Sequence, residues 1–372
     1  YEWIEIDNDF GGDGIDLNLS DNGDGNNINN SSAIVMLPFD FKFYGIEYDA
    51  SLSFGWILWT SHTIVVIVLA LLFSLINPRF ATLSNFLTIL TQASYYIILA
   101  VGMTFVITSA GIDLSVGSIL ALITVIGFEL IKGGMHPLLG VLIMFFLGGF
   151  IGSISGLLIT LVKIPPFITT LGMMASIRGL ALVHSAGKMH YGLPESITWF
   201  GQGIVFGIPV PVIISLIFVI FGAWLFNMTK FGLHVKAIGG NREAARLAGV
   251  PVNLIEVLVY CFMGLIVALG GLIMIARIDS TQATIGTTME IHVIAAVIIG
   301  GTSLFGGRGS IYGTLIGAIL LSMMTNALVI AGVDYFWQLF IMGLIVLVAV
   351  AINNFREGKI SISSFFQNKN FP

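Results

Sequence analysis

Charge is what this sequence has least of. Asp, Glu, Lys and Arg make up 9% of its 372 residues, against roughly 25% in a soluble domain. That shortage excludes an ordinary water-soluble globule. One cysteine, Cys261, lies inside an apolar run, so no internal disulfide forms and no redox compartment is reported. The six histidines are scattered, with no HExxH and no paired spacing, and give no metal site. No glycine-rich phosphate loop ending in Lys-Ser or Lys-Thr occurs, so the chain does not bind ATP by that route. A nucleophile with its base, or two carboxylates in one motif, is also missing, which leaves no footing for hydrolytic chemistry.

Apolar residues fill the space. They make up 56% of the chain, and many windows of about 20 residues are long enough to cross a hydrocarbon core. Ten candidate spans stand between glycines, prolines and charges: 57–76, 86–108, 114–132, 138–161, 167–186, 209–227, 253–276, 290–306, 310–331 and 335–353. The third and eighth are the least clean, because Glu129 and Glu290 sit at their edges. The expected fold class is an all-α membrane protein of about ten transmembrane helices. Lys and Arg orient it, since cytoplasmic loops carry them in excess. With the first span starting inside, Lys163, Lys230, Lys236, Arg242, Arg246, Arg308, Arg356, Lys359 and Lys369 lie inside. Arg79, Lys132, Lys188 and Arg277 lie outside, and Arg178 falls within a span. Both termini are therefore expected in the cytoplasm, with 187–208 the longest outside loop and 354–372 a cytoplasmic tail.

The first 56 residues are unlike the rest. Residues 1–50 hold 11 of the 20 acids and one base, Lys42, so the net charge of −5 belongs to this head. No nucleic-acid partner is expected. In "LPFDFKFYG", Phe39, Phe41 and Phe43 share one face of a strand and Asp40 and Lys42 the other. The segment reads as an acidic, Asn/Gly-rich β-rich fragment, too small for a core of its own. "DNGDGN" lacks the ligand ladder of a calcium loop and reads as a solvated turn. Such a fragment fits poorly in the cytosol, so the join after Trp56 reads as a fusion or artefact. The first residue is Tyr, and a missing or processed beginning is expected.

Glycine is abundant, at 44 residues, and much of it lies inside the spans. Gly148, Gly152 and Gly156 recur every four residues, as do Gly309, Gly313 and Gly317. That spacing lines one helix face and lets a second backbone approach closely. Two other stretches look broken rather than packed. "SAGIDLSVGS" contains Gly111, Asp113, Ser115 and Gly117; "IIGGTSLFGGRGSIYG" contains Gly300, Gly301, Gly306 and Gly307. Discontinuous helices in two halves of a chain mark a transport pathway. Asp113 has a local explanation too, as a cap or first-turn acid for a helix beginning near Leu114. Asp279, Glu290 and Asp334 stand alone near span ends, where solvated caps are expected.

The most basic connection, 227–252, contains "NREAARLAGVP". Asn241 is an N-cap, Arg242 and Glu243 open the first turn, Ala244 continues it, Gly249 suits a left-handed end and Pro251 bars continuation. Arg242 and Arg246 share a face, with Glu243 in reach of Arg246. So short a helix is unstable alone in water and needs a partner surface.

In this order, "NPRFATLSNFLTIL", "LAVGMTFVITSAGIDLSVGS", "IPPFITTLGMMASIRGLAL", "AIGGNREAARLAGVPV" and "IAAVIIGGTSLFGGRGSIYGTLIGA" resemble the permease subunit of ribose-type, binding-protein-dependent ABC importers over about residues 60–353. The resemblance implies ten helices per subunit, a homodimer in the lipid of a bacterial inner (plasma) membrane, and import of a monosaccharide such as ribose, galactose or xylose. It makes Asn241–Gly249 the coupling helix on a separate ATP-binding subunit, which would carry the ATP and Mg; no cofactor is expected on this chain. It also implies an extracytoplasmic sugar-binding protein. Leu233, Ile291 and His292 depart from the family pattern. A nucleoside, a furanone signal or a branched-chain amino acid stays open as cargo. So do an ion-coupled secondary carrier and a surface protein whose head is the active part.

Overall fold

The computed structural model describes residues 63–64 and 66–356. The expected head, 1–56, and nearly all of the tail, 354–372, lie outside the described residues. The described chain is helical, with helices where the apolar runs predict spans. They are α1 (Val66–Ile76), α2 (Leu83–Thr108), α3 (Val116–Lys132), α4 (Pro137–Thr160), α5 (Pro166–Ser185), α6 (Glu195–Gln202) and α7 (Val210–Met228). After them come α8 (Lys230–Gly240), α9 (Arg242–Leu247), α10 (Val252–Ile278), α11 (Met289–Ile299), α12 (Ile311–Ile330) and α13 (Tyr335–Arg356).

Local chemistry sets the ends. Thr82 accepts the N–H of Asn85 at the start of α2, and Ser310 accepts that of Gly313 at the start of α12. Proline opens α4 and α5, where a missing N–H costs nothing. Among the described residues six helices are long and apolar enough to cross a membrane: α2, α4, α5, α7, α10 and α12.

The eighth stretch, read as 290–306, is shorter than expected. Helix α11 stops at Ile299. Gly301 turns left-handed at φ +85, and the amides of Gly301 and Thr302 close back on Ile298 and Val297. Its 11 residues rise only about 16 Å, half of a core of about 30 Å. The 187–208 connection, expected as a loop, holds α6 and two short antiparallel pairs. In one, β1 (His190–Tyr191) pairs with β4 (Ser280–Thr281). In the other, β2 (Ile204–Val205) pairs with β3 (Ile208–Pro209).

Helices α2 and α10 form the centre, with 78% and 67% of their apolar windows buried; α5 is the most open of the six, at 22%. The α4 glycine row acts as predicted, whereas of the second row Gly309 lies ahead of α12 and meets Thr108 Oγ1 instead. A Cβ added at Gly148, Gly152 or Gly156 would come within 3.0 Å of the α10 backbone at Gly264, Tyr260 or Val257. Gly313 and Gly317 press likewise on Gly300 and Ala296. Lipid offers no hydrophobic drive between helices, so this close packing is what holds them.

Candidate functional site

The connection between α7 and α10 is more ordered than its polarity predicts. Helix α8 fills its first half, capped by Thr229, which accepts from Gly232. Helix α9 follows with the expected ends. The Asn241 side chain accepts from Ala244 at 3.0 Å. Gly249 is left-handed at φ +82, and Val250 closes on the Ala245 carbonyl at 3.0 Å.

Almost all of α9 is open to its surroundings. Ala245 is its one buried residue, and Leu247 is 76% exposed. Arg246 bonds Glu243 through Nε at 3.1 Å and holds that carboxyl below its usual range. Arg242 turns the other way. Its Nε donates to Oε1 of Glu256 at 2.9 Å and its Nη2 to Oε2 at 2.8 Å. Glu256 is buried on α10, a partner that spacing within α9 cannot reveal.

Immediately before Asn241, Gly239 and Gly240 sit in a junction of three backbones. The Gly307 amide donates to the Thr108 carbonyl at 2.9 Å, joining the end of α2 to the α11–α12 connection. A Cβ on Gly239 would come within 3.0 Å of both the Thr108 carbonyl and the Gly307 nitrogen. Gly306 lies as close to Gly239 and Ala110. The sequence reading missed Gly239 and Gly240, whose only signal is a glycine pair directly before the cap.

The first break runs from Ser109 to Ser115. Ala110 is left-handed at φ +63, and the Gly111 amide reaches back to the Val106 carbonyl at 3.0 Å. The hydroxyl of Tyr260 lies over Gly111, so close that a Cβ there would collide with it. Asp113 is buried, and its role differs from the expected helix cap. Helix α3 starts at Val116, with Ser115 at the N-cap position. Oδ1 of Asp113 accepts the Ser115 amide at 2.8 Å and its hydroxyl at 2.5 Å, closing a turn ahead of the helix. Oδ2 of Asp113 and the Tyr260 hydroxyl are both buried without a hydrogen-bond partner.

The second break, 300–310, is where the sequence put it. Gly301, Gly306 and Gly307 are all left-handed, and Gly300 presses on the Gly313–Thr314 backbone. The two breaks meet through Thr108, not through Asp113.

A third break, between α10 and α11, was not anticipated. Arg277 marks it in the sequence as an outside connection. Instead 282–288 folds back, and Gly286 and Glu290 meet Gly117 in the first turn of α3. Arg178 staples it, donating through Nη1 to the carbonyls of Ala283 at 2.6 Å and Ile285 at 2.9 Å. Asp279, expected as a solvated cap, is left-handed at φ +50 and accepts the Leu193 amide at 2.6 Å, tying down the 187–208 segment. Glu290, a half-buried first-turn acid of α11, places its carboxylate against Gly117. Asp334 caps locally as expected, accepting from Phe336. His292 stacks on Tyr96 with centroids 5.5 Å apart, and Leu233 is exposed.

Among the described residues no group of three His, Cys, Asp or Glu is placed to hold a metal. The arrangement is mechanical: an exposed helix, tied to the core at Glu256 and at the Gly239 junction, beside three interrupted helices.

Comparison with known proteins agrees on one class. Residues 85–350 match the family described as the permease component of branched-chain amino acid transport systems. The ribose import permease protein of Escherichia coli is 39% identical over 309 residues, covering 82% of this chain and 96% of that protein. The Bacillus subtilis ribose import permease protein is 41% identical over 288 residues, 77% of this chain and 89% of that one. A D-allose transport system permease protein of Escherichia coli is 35% identical over 324 residues, 87% and 96% of the two. No solved structure matches.

Proposed function

The chain belongs to this permease family, and on that premise we propose that it is the transmembrane subunit of an ATP-driven monosaccharide importer, with ribose the first sugar to try. It is a multi-pass membrane protein and not an enzyme; ATP hydrolysis belongs to a separate chain. The observation that carries the reading is the 39% identity to a ribose import permease protein over 82% of the chain.

The membrane is the bacterial inner membrane, crossed about ten times with both termini cytoplasmic. The excess of Lys and Arg in the connections assigned inside supports that orientation. Helix α9 docks on the ATP-binding subunit, which holds ATP and Mg. Its exposed Leu247, Glu243 and Arg246 form the contact. A soluble sugar-binding protein delivers cargo at the opposite face, to 187–208 and the adjoining β4 turn. A second copy of the chain covers α5. That helix has the lowest hydropathy of the six long apolar helices, 1.4, yet the smallest buried share, which favours a protein neighbour over lipid.

When the ATP-binding subunits close, α9 moves as a rigid element. Through Gly239–Gly240 it pulls on the ends of α2 and the α11–α12 connection, and the bundle rocks between outward and inward states. The test is purification of the tagged full chain from native membranes in mild detergent, with companions identified by mass spectrometry. An ATP-binding subunit in near-equal amount is expected. A chain that purifies alone in several mild detergents overturns the reading.

A further inference from the structure

Among the described residues six buried side-chain polar atoms have no hydrogen-bond partner, and two of them face the first break, one lying over Gly111 and one carried two residues further along the chain. One is the hydroxyl of Tyr260, the other Oδ2 of Asp113. Tyr260 and Asp113 are 2% and 1% exposed. Glu256 stands one turn before Tyr260 on α10, so the two move together as parts of one rigid helix. Its carboxylate is gripped by both nitrogens of Arg242 on α9.

A continuous path therefore leads from the exposed short helix to the first break: Arg242, Glu256, Tyr260, Gly111, Asp113. We infer that Glu256 and Tyr260 are positioning residues that carry the displacement of α9 to the Asp113 break. In the other transport state the Tyr260 hydroxyl donates to Oδ2 of Asp113. The inference rests on the importer reading and adds residues to it.

Three features support it. A buried hydroxyl and a buried carboxylate oxygen without partners disfavour the conformation that leaves them so. A state in which they pair relieves both at once. The paired Arg242–Glu256 geometry fixes orientation as well as distance, so rotation of α9 turns α10 rather than sliding past it. Gly152 of α4 packs closely on the Tyr260 carbonyl, so α10 cannot separate from α4 there without losing that packing.

The test uses the full permease with its ATP-binding subunit and sugar receptor in proteoliposomes, comparing wild type, Tyr260→Phe, Glu256→Ala and the exchange Arg242→Glu with Glu256→Arg. The readouts are ribose taken up per ATP hydrolysed and the melting temperature of each complex. Tyr260→Phe removes one oxygen that has no partner here, so no loss of melting temperature is expected. Uptake per ATP falls about tenfold, the worth of one hydrogen bond made in only one state. Glu256→Ala falls as far with the complex still assembled, and the exchange recovers part of the loss. Wild-type uptake per ATP in Tyr260→Phe overturns the relay while leaving the importer reading standing. A wild-type complex that takes up no sugar on ATP overturns the importer reading and the relay with it.

Discussion

The amide of Gly307 donates to the carbonyl of Thr108 across 2.9 Å, and Gly239 lies against that same carbonyl. This one oxygen joins the end of α2, the α11–α12 connection and the residue two before the α9 cap. It is one of two ties between α9 and the core, the other being the Arg242–Glu256 pair.

Gly239→Ala should therefore be costly. Its Cβ would meet backbone atoms, which cannot yield as a side chain end does. A loss of about 1–3 kcal/mol is expected from such overpacking, read as a lower melting temperature in detergent. Gly343→Ala on α13 is the control. Nothing lies within 4 Å of a Cβ there, and a gain of about 0.5–1 kcal/mol is expected for a helical glycine.

Glu243→Ala combined with Arg246→Ala removes an exposed ion pair within α9. The melting temperature should not move. Co-purification with the ATP-binding subunit should fall, measured as the ratio of the two bands. Full recovery of that subunit with the double variant removes α9 as the docking element.

Arg178→Met strips two carbonyls of their donor. A loss of about 1.5–3 kcal/mol is expected for hydrogen bonds to a charged group. Hydrogen exchange should rise in 282–290 ahead of the rest of the chain. Uniform exchange across the bundle would place the effect elsewhere.

Asp279→Ala and Asp279→Asn separate shape from charge. Asn tolerates a left-handed backbone and keeps an acceptor for the Leu193 amide, so its protease sensitivity in 187–208 should match wild type. Ala loses the acceptor and strains the turn, and cleavage there should speed up.

Much of the bundle was legible in the sequence because long apolar runs broken by Gly and Pro leave the backbone little choice. The α9 punctuation was equally plain, since Asn241, Gly249 and Pro251 each act on their own neighbours. The glycine rows on α4 and α12 were legible as packing faces, though not which helix they meet. The rest depended on distant partners. Asp113 looked like a cap because its partner sits two residues away in either reading; where the helix begins settles the difference. Glu256 gave no sign of pairing with Arg242, because 14 residues and a turn of chain separate them. The third break had the polarity of an exterior turn, and the one sign of it was Arg178. A lone charge inside a span needs acceptors, and the carbonyls of 283 and 285 are those acceptors.

The central claim is that this chain moves a monosaccharide on the energy of ATP held by another subunit. Its most direct test is uptake of radiolabelled ribose by proteoliposomes containing the permease, its ATP-binding subunit and the sugar receptor, with and without ATP. The account predicts accumulation that needs ATP, needs both partners, and is lost when either is left out. Equal uptake by the permease alone in ATP-free vesicles would contradict it.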